Sequence, residues 1–233
     1  MPAQRANAKL YLATSNPGKL EEVRALAAAS SFEIALLPGF SSLPKFDEIW
    51  PTFAENAAGK ALHYSRITGQ LVLADDSGLV VPALGGLPGV HSARYAGPNA
   101  TDADRVAKLL AASHGQVGDH RRAHFVCVIA LAHRGAAHAI VSEQADGLLL
   151  DEPEGGGGFG YDPIFFFPPL GKTFAEISRE EKNLYSHRGI AFRKMMEFLA
   201  NEMPANGASN AAPGRLAHDN KDDQGVWYSP RPK

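Results

Sequence analysis

Two adjacent aspartates stand at the most informative point of the sequence. They follow the apolar run Leu71-Val72-Leu73-Ala74, which is short enough for a buried strand, and they open the segment Asp75-Asp76-Ser77-Gly78. Carboxylates beside an apolar strand are costly unless positive charge meets them, and a divalent cation with its phosphate ligand would supply it. Successive strand side chains point to opposite faces, so only one aspartate can face a given pocket. A capped turn with two solvated aspartates is an equally good explanation of this stretch alone.

A second group of polar residues, Thr14-Ser15-Asn16-Pro17-Gly18-Lys19, lies between a predicted strand at 9–13 and a helix that runs to about residue 29. The free N–H groups and positive end of such a helix attract anions. Lys19 in the first turn opposes the helix dipole, and this conflict makes sense if its ammonium reaches back to a phosphate. An ordinary turn with a surface lysine is the alternative, and the P-loop pattern GxxxxGK[ST] is absent.

The loop at 38–51 and the helix after it offer further candidates. Thr52 and Glu55 have the spacing of a capping box, which gives Glu55 a structural role. Glu48, just before this helix, is therefore the freer candidate for a metal ligand. Lys60, within the helix that runs to about residue 68, is either a solvated lysine or a second phosphate contact. The sequence leaves both interpretations of Lys60 open.

A glycine-rich segment in the second half carries aromatic side chains. Its sequence is Gly155-Gly156-Gly157-Gly158-Phe159-Gly160-Tyr161-Asp162-Pro163, which predicts a flexible loop. An aromatic ring on such a loop can stack on a flat ring such as a purine, although aromatics that fold back on the core fit the composition equally well. Beyond a capping box at 178–181 come Lys182, His187 and Arg188. Gly189 and the apolar helix 190–199 suggest a tight bend that directs these donors toward carbonyl or phosphate oxygens.

The elements that position these residues alternate between strands and helices. Strands are predicted at 9–13, 33–37, 71–74, 122–132 and 137–149, with a hairpin between the last two and a short edge strand at 172–177. Helices are predicted at about 17–29, 52–68, 101–112 and 190–199, with a short one after 178. We therefore expect an α/β domain over residues 1–203. Residues 204–233 are poor in apolar side chains and are predicted to form a disordered tail.

Composition excludes several classes of protein. The 233 residues are 45% hydrophobic and 21% charged, as in a globular domain with a sizeable core. A net charge of −2 provides no broad field for nucleic acid or an anionic membrane. Cys127 is the single cysteine, so an internal disulfide is excluded and a reducing compartment is favoured. The N-terminus has no apolar signal region, and no run approaches the roughly 18 apolar residues of a membrane helix, so we expect a cytoplasmic protein.

Taken together, three blocks resemble the inosine/xanthosine triphosphate pyrophosphatase family, the Ham1-like enzymes that remove deaminated purine nucleotides. The first block is Thr14-Ser15-Asn16-Pro17-Gly18-Lys19. The second comprises Phe53-Ala54-Glu55-Asn56, Lys60, Ala74-Asp75-Asp76-Ser77-Gly78 and Ser92-Ala93-Arg94-Tyr95. The third comprises Gly158-Phe159-Gly160-Tyr161-Asp162-Pro163, Glu181-Lys182 and Ser186-His187-Arg188-Gly189. The resemblance covers roughly residues 9–200, and the blocks are specific in this order and at these separations.

The resemblance implies an elongated, two-lobed mixed sheet flanked by helices, a nucleotide cleft between the lobes, and a homodimer. It implies Mg²⁺-dependent hydrolysis of dITP, ITP and XTP or dXTP to the monophosphate and diphosphate. Asp76 would be the proton acceptor and, with Glu48, a metal ligand. Asp75, which points the other way along the strand, would be structural or would support the residues that contact the ligands. Substrate would be bound by the residues Thr14, Ser15, Asn16, Pro17, Gly18, Lys19, Lys60, Ser77, Phe159, Gly160, Tyr161, Asp162, Lys182, His187 and Arg188.

Within these roles the purine would stack on Phe159, and Lys182, His187 and Arg188 would present donors to its 6-oxo oxygen. Two other functions remain open. A pyrophosphatase for modified pyrimidine or methylated triphosphates would share the phosphate and metal half of the site but need a different base pocket. A nucleotide-binding module without catalysis is disfavoured by the presence of Asp76, Ser77, Lys19 and Lys182.

Overall fold

The computed structural model describes residues 8–28, 30 and 32–202. One mixed sheet holds seven strands in the order β2-β1-β3-β4-β5-β6-β7, with β1 parallel to β2 and β3 and all other pairs antiparallel. The strands are β1 Ala8–Leu12, β2 Phe32–Leu36, β3 Leu71–Val80, β4 Arg122–His133, β5 Ala136–Leu149, β6 Phe165–Phe167 and β7 Lys172–Thr173. The helices are α1 Pro17–Ala27, α2 Phe53–Thr68, α3 Asp102–Ala112, α4 Arg179–Tyr185 and α5 His187–Glu202. The predicted α/β class with a mixed sheet is confirmed.

Strand β3 continues well beyond its predicted end, and this places the aspartate pair in mid-strand. The neighbouring β4 pairs with β3 along its whole length, from Leu71 opposite His133 to Val80 opposite His124, so the ladder overrides the interruption of the apolar run. On the other side, β1 pairs with β3 only at Val72 and Leu73. Within the described residues, the β1 side of β3 therefore has no strand partner beside the two aspartates.

The two faces of β3 pack against different helices. Leu73 belongs to an apolar cluster with Val23 of α1 and Phe192 of α5. Its neighbour Ala74 packs on the opposite face with Ala57 and Ala61, from the small-residue stripe of α2. Because side chains alternate along a strand, Asp75 points to the α1 and α5 side and Asp76 to the α2 side, as predicted.

A third apolar cluster supports the far half of the sheet and the glycine-rich loop. It contains aromatic side chains of β4, β6 and the segment after β7, packed with Leu109 of α3. The rings of Phe125 and Phe165 lie 4.6 Å apart at their centroids, and those of Phe165 and Phe174 lie 4.9 Å apart. Tyr161 is buried in the same cluster, so this core anchors one end of the loop.

Two local predictions are corrected. The expected edge strand at 172–177 is only two residues long. The bend expected at Gly189 lies instead at Ser186, and Gly189 is within the first turn of α5. A side chain at Gly189 would collide with the backbone of Asn183, so this glycine permits the close approach of α4 and α5. The predicted tail at 204–233 lies outside the described residues, among which no helix is long and apolar enough to cross a bilayer.

Candidate active site

A cavity of about 780 Å³, including space open to solvent, lies beside the mid-strand aspartates of β3. Most predicted site residues line it together: Asn16, Lys19, Glu48, Asp76, Ser77, Phe159, Gly160, Tyr161, Asp162, Lys182, His187 and Arg188. The remaining predicted residues, Thr14, Ser15, Pro17, Gly18 and Lys60, lie outside the lining of this cavity. Three blocks separated by long stretches of chain thus meet at one place.

The first block forms the capped start of α1. Asn16 is the N-cap, and its Oδ1 accepts a hydrogen bond of 3.1 Å from the backbone N–H of Lys19. Thr14 Oγ1 in turn accepts from the N–H of Asn16 at 3.1 Å. The ammonium of Lys19 lies 2.8 Å from Asp75 Oδ2. The carboxylate of Asp75 therefore offsets the unfavourable position of Lys19 at the positive end of the helix.

The start of α1 is in direct contact with the glycine-rich loop at 155–163, which is called the aromatic loop below. A Cβ atom on Gly18 would lie 3.2 Å from Cδ1 of the Phe159 ring, closer than side chains ordinarily approach. Glycine at this position therefore lets the ring of Phe159 lie against the first turn of α1. Of the two loop aromatics, Tyr161 is buried and its hydroxyl donates to the carbonyl oxygen of Ser92 at 2.9 Å. Phe159 is half-buried and remains at the cavity wall.

Asp75 is the central anion on the α1 and α5 side of the strand. It is 3% exposed, and its Oδ2 contacts Lys19, accepts from Ser77 Oγ at 3.3 Å and lies 3.6 Å from Arg188 Nε. Burial alone would raise the pKa of Asp75, but the charges of Lys19, Arg188 and Lys60 hold it well below its usual range. Asp75 is therefore a permanent carboxylate that fixes two cations at the cavity.

The surroundings of Asp76, unlike those of Asp75, favour the protonated carboxyl group. Its Oδ1 accepts from the N–H of Ser77 at 3.0 Å, whereas its buried Oδ2 has no hydrogen-bond partner among the described residues. Burial, and then the charge of Glu48, raise the pKa of Asp76 to about 6. The carboxylates of Asp76 and Glu48, with the unpaired and buried Oδ2 of Asp76, form a set of ligands that suits a hard cation.

Glu48 is held in place by two basic residues. Its carboxylate is ion-paired with the buried ammonium of Lys60, which also donates to the carbonyl oxygen of Asp75 at 2.6 Å. Its own carbonyl oxygen accepts from Arg94 Nη2 at 2.8 Å. Burial lowers the pKa of Lys60, but Asp75 and Glu48 outweigh it and raise the pKa, so Lys60 stays charged. In this structure Lys60 positions Glu48 from behind the cavity wall.

Buried ion pairs organise the other wall. Glu22 of α1 contacts two cations: its Oε1 lies 2.9 Å from Lys182 Nζ, and its Oε2 pairs with Arg188 Nη1. Lys182 also pairs with Asp162, and Arg188 Nη2 donates to Ser77 Oγ at 2.8 Å. All of these charged side chains are less than 10% exposed. Since each buried charge has an opposite partner, the network is compatible with folding and holds its cations rigidly.

The aromatic side of the cavity carries a neutral histidine. The His187 ring is stacked on Phe125, with centroids 4.8 Å apart and planes within 6° of parallel. Burial, followed by the charges of Arg188 and Lys182, holds the pKa of His187 well below its ordinary value. Its buried Nδ1 has no hydrogen-bond partner in the described part of the chain. Lys182 Nζ lies 4.6 Å from the centroid of the Phe159 ring, which places a charge beside the aromatic surface.

Sequence reasoning missed three residues that shape the site. Glu22 lies one helical turn after Lys19 on the same face of α1, and that spacing was its only local signal. Asn56 hydrogen-bonds both the N–H and the carbonyl oxygen of Trp50 at 3.1 Å, which anchors the loop that carries Glu48. Asp102, the first residue of α3, faces the cavity although its sequence position suggested only a helix start.

Comparison with known proteins shows the family of this chain. The model of the Ham1 family matches residues 10–198. A dITP/XTP pyrophosphatase of Geobacillus kaustophilus is 48% identical over 189 residues, which span 81% of this chain and 93% of the relative. A dITP/XTP pyrophosphatase of Gloeobacter violaceus is 49% identical over 189 residues, which span 80% of this chain and 92% of the relative.

Solved structures of similar proteins have the same fold as this chain. A HAM1 protein from Coxiella burnetii superposes with a TM-score of 0.76 at 41% identity, and the match covers 83% of this chain and 99% of that one. A nucleoside-triphosphatase / dITP/XTP pyrophosphatase from Mycobacterium abscessus gives a TM-score of 0.63 at 36% identity, over 82% of this chain and 99% of that one. The resemblance inferred from the three sequence blocks is confirmed: the chain belongs to the Ham1 family.

Proposed function

We propose that this member of the Ham1 family removes deaminated purines from the nucleotide pool. It hydrolyses dITP, ITP and XTP or dXTP to the nucleoside monophosphate and diphosphate, and it requires Mg²⁺. That the chain is an enzyme acting on nucleoside triphosphates follows from its family. The observation that supports the specific reaction is that Lys19, Asp76 and Phe159 line one and the same cavity. One nucleotide can contact a cation, a carboxylate pair and an aromatic ring there.

The phosphate groups would lie between the start of α1 and Asp76. The ammonium of Lys19, which Asp75 holds at 2.8 Å, would meet phosphate oxygens at the cavity wall. Ser77 Oγ accepts from Arg188 and donates to Asp75 in this structure, and it would turn its hydroxyl hydrogen from Asp75 to another phosphate oxygen. Water would attack the α-phosphorus, a new P–O bond would form, and the bond to the bridging oxygen of the β-phosphate would break, so that diphosphate leaves.

Asp76 is the residue proposed to accept the proton of the attacking water. Its unpaired Oδ2 and its raised pKa both suit a base that is ionised near neutral pH. Asp76 and Glu48 would also hold Mg²⁺, with phosphate oxygens among the remaining ligands. When bound, the ion would neutralise phosphate charge and lower the pKa of nearby water. The described residues contain no group of three or more His, Cys, Asp and Glu side chains that could hold a metal, and phosphate oxygens and water would complete the proposed site.

The base would lie at the other end of the cavity. Phe159 offers its ring for stacking, and His187 Nδ1 is a buried polar atom without a partner among the described residues. With Lys182 and Arg188, it would present donors to a 6-oxo oxygen, whereas the 6-amino group of adenine is itself a donor. A site built around such a hydrogen bond can discriminate by about 10⁴-fold.

The assembly and location of the protein are also proposals. We infer a homodimer in the cytoplasm that acts on free nucleotides rather than on nucleic acid or at a membrane. Exposed apolar side chains such as Ile49, 77% exposed, and Trp50, 47% exposed, support a surface that a second copy covers. The net charge of −2 supports the absence of a nucleic-acid partner.

The reaction is tested by diphosphate release from dITP, XTP, dGTP and ATP, each with and without Mg²⁺. We expect rapid release from dITP and XTP, release from ATP lower by about 10⁴-fold, and none when EDTA removes the metal. Turnover confined to modified pyrimidine or methylated triphosphates would replace the proposal with a related pyrophosphatase. Tight binding of ITP with Mg²⁺ but without turnover would indicate a nucleotide-binding module instead.

A further inference from the structure

The aromatic loop is held by a carboxylate of α3 that the proposed reaction does not use. The backbone N–H of Gly160 donates to Asp102 Oδ2 at 2.7 Å. The two residues are 58 positions apart in the chain, and both line the cavity. Gly160 immediately follows Phe159, so this hydrogen bond fixes the backbone beside the aromatic ring.

Asp102 is itself rigidly placed. It is the first residue of α3, and its other oxygen pairs with Arg105. Arg105 Nη1 donates to the carbonyl oxygens of Ala93 at 3.0 Å and Ala100 at 2.6 Å. The carboxylate is therefore clamped between a helix start and the segment before it, and it offers a charged acceptor in a fixed direction.

The other side of the ring is held in the same way. The N–H of Phe159 donates to Asp162 Oδ2 at 2.8 Å, and Asp162 is ion-paired with Lys182. Peptide groups on both sides of the ring are thus bound to carboxylates. Gly158 and Gly160 have left-handed backbone angles, with φ of 69° and 65°. Because a glycine-rich segment loses much conformational freedom when it is ordered, such bonds decide whether the loop keeps one conformation.

We propose that Asp102 is a positioning residue for the purine site: it fixes the glycine-rich loop so that the ring of Phe159 is already in place when the nucleotide arrives. The inference rests on the proposed function, in which Phe159 stacks on the base. Asp102 contacts neither phosphate nor metal in this account and acts through Phe159. Loss of the Asp102 carboxylate should therefore weaken nucleotide binding and have little effect on the chemical step.

The first test compares Asp102→Ala with Asp104→Ala. Asp104 belongs to the capping box of the same helix, with Oδ2 accepting from the N–H of Thr101 at 2.8 Å, but it does not contact the loop. We expect Asp102→Ala to raise KM for dITP about tenfold, the usual effect of losing a hydrogen bond to a charged group, with kcat changed less than about threefold. Asp104→Ala should leave KM unchanged. If Asp102→Ala fails to fold, Asp102→Asn is measured instead: it keeps a neutral and weaker acceptor, so KM should still rise, but less than tenfold.

A double-variant cycle shows whether Asp102 acts through the ring. In a Phe159→Ala background, replacing Asp102 should raise KM less than about twofold further, since the coupling depends on both side chains. Hydrogen exchange of the segment 155–162 should be faster in the Asp102 variant and unchanged in Asp104→Ala. An unchanged KM, or an undiminished tenfold effect without the ring, would overturn the inference. A wild-type protein that does not hydrolyse dITP would refute the proposed function instead, and unchanged loop exchange would then still refute the contact.

Discussion

Asp76→Asn is expected to reduce dITP hydrolysis by at least about 10³-fold while the fold is retained. Asparagine has nearly the same shape, but it cannot accept a proton from water and is a poorer ligand for a hard cation. The measurement is diphosphate release at saturating dITP and Mg²⁺. Asp119→Asn serves as a control, since Asp119 is exposed and pairs with Arg122 on the surface. Full activity in Asp76→Asn would remove Asp76 from its proposed role as base.

The same variant should be more stable than the wild type when no metal is present. Asp76 has a pKa of about 6 in the fold, above the ordinary 3.8. The stability that its protonated form provides is fully present below pH 3.8 and is lost as the pH rises through 6. The difference between the two pKa values corresponds to about 3 kcal/mol.

Urea unfolding in EDTA should therefore show Asp76→Asn more stable than the wild type by up to about 3 kcal/mol at pH 8. The advantage should be much smaller at pH 4.5, where Asp76 of the folded wild type is protonated. An equal difference at both pH values would contradict the assigned electrostatic state of Asp76.

The second large effect is expected at Arg188. Arg188→Ala should lower the free energy of unfolding by about 3 kcal/mol. The reason is that Arg188 neutralises two buried carboxylates, since it is one of the two cations beside Glu22 and one of the cations beside Asp75. KM for dITP and XTP should rise by about 10- to 100-fold, since a fixed guanidinium at the cavity wall is removed. Activity assays and urea unfolding on the same preparation measure both effects.

The double variant Arg188→Ala with Glu22→Gln separates stability from binding. Removing the under-compensated carboxylate of Glu22 should restore part of the stability but should not restore KM. Arg193→Ala is a matched control on the same helix, because Arg193 donates to carbonyl oxygens of Asn183 and Leu184 rather than to the network. Complete recovery of KM in the double variant would show that Arg188 only neutralises Glu22.

Local patterns in the sequence were sufficient for most of the fold. Capping residues and apolar periodicity located α2, α3 and α4 closely, and the β4–β5 hairpin turns at Arg134 and Gly135, as expected. The predicted length of β3 was too short, because a prediction from an apolar run stops at the first charged residue. Pairing with β4 carries the strand past that point. The charges of Lys19, Arg188 and Lys60 compensate the carboxylate of Asp75.

The candidate site was predictable to the extent that it lies in compact motifs. The start of α1, the aspartate pair and the aromatic loop each carry a local signature, and the structure brings them to one cavity. The ion pair between Glu22 and Arg188 joins residues 166 positions apart, so no local pattern could reveal it. The contact between Asp102 and Gly160 could not be predicted either, because it joins residues 58 positions apart and depends on how α3 packs beside the loop.

The central claim is that one nucleotide spans the cavity from Lys19 to Phe159, and a crystal structure of Asp76→Asn with dITP and Mg²⁺ tests it most directly. The account predicts triphosphate oxygens against the Lys19 ammonium, the metal beside Glu48, and the hypoxanthine ring on the face of Phe159. A nucleotide bound elsewhere, or one whose base points away from Phe159 and His187, would contradict it.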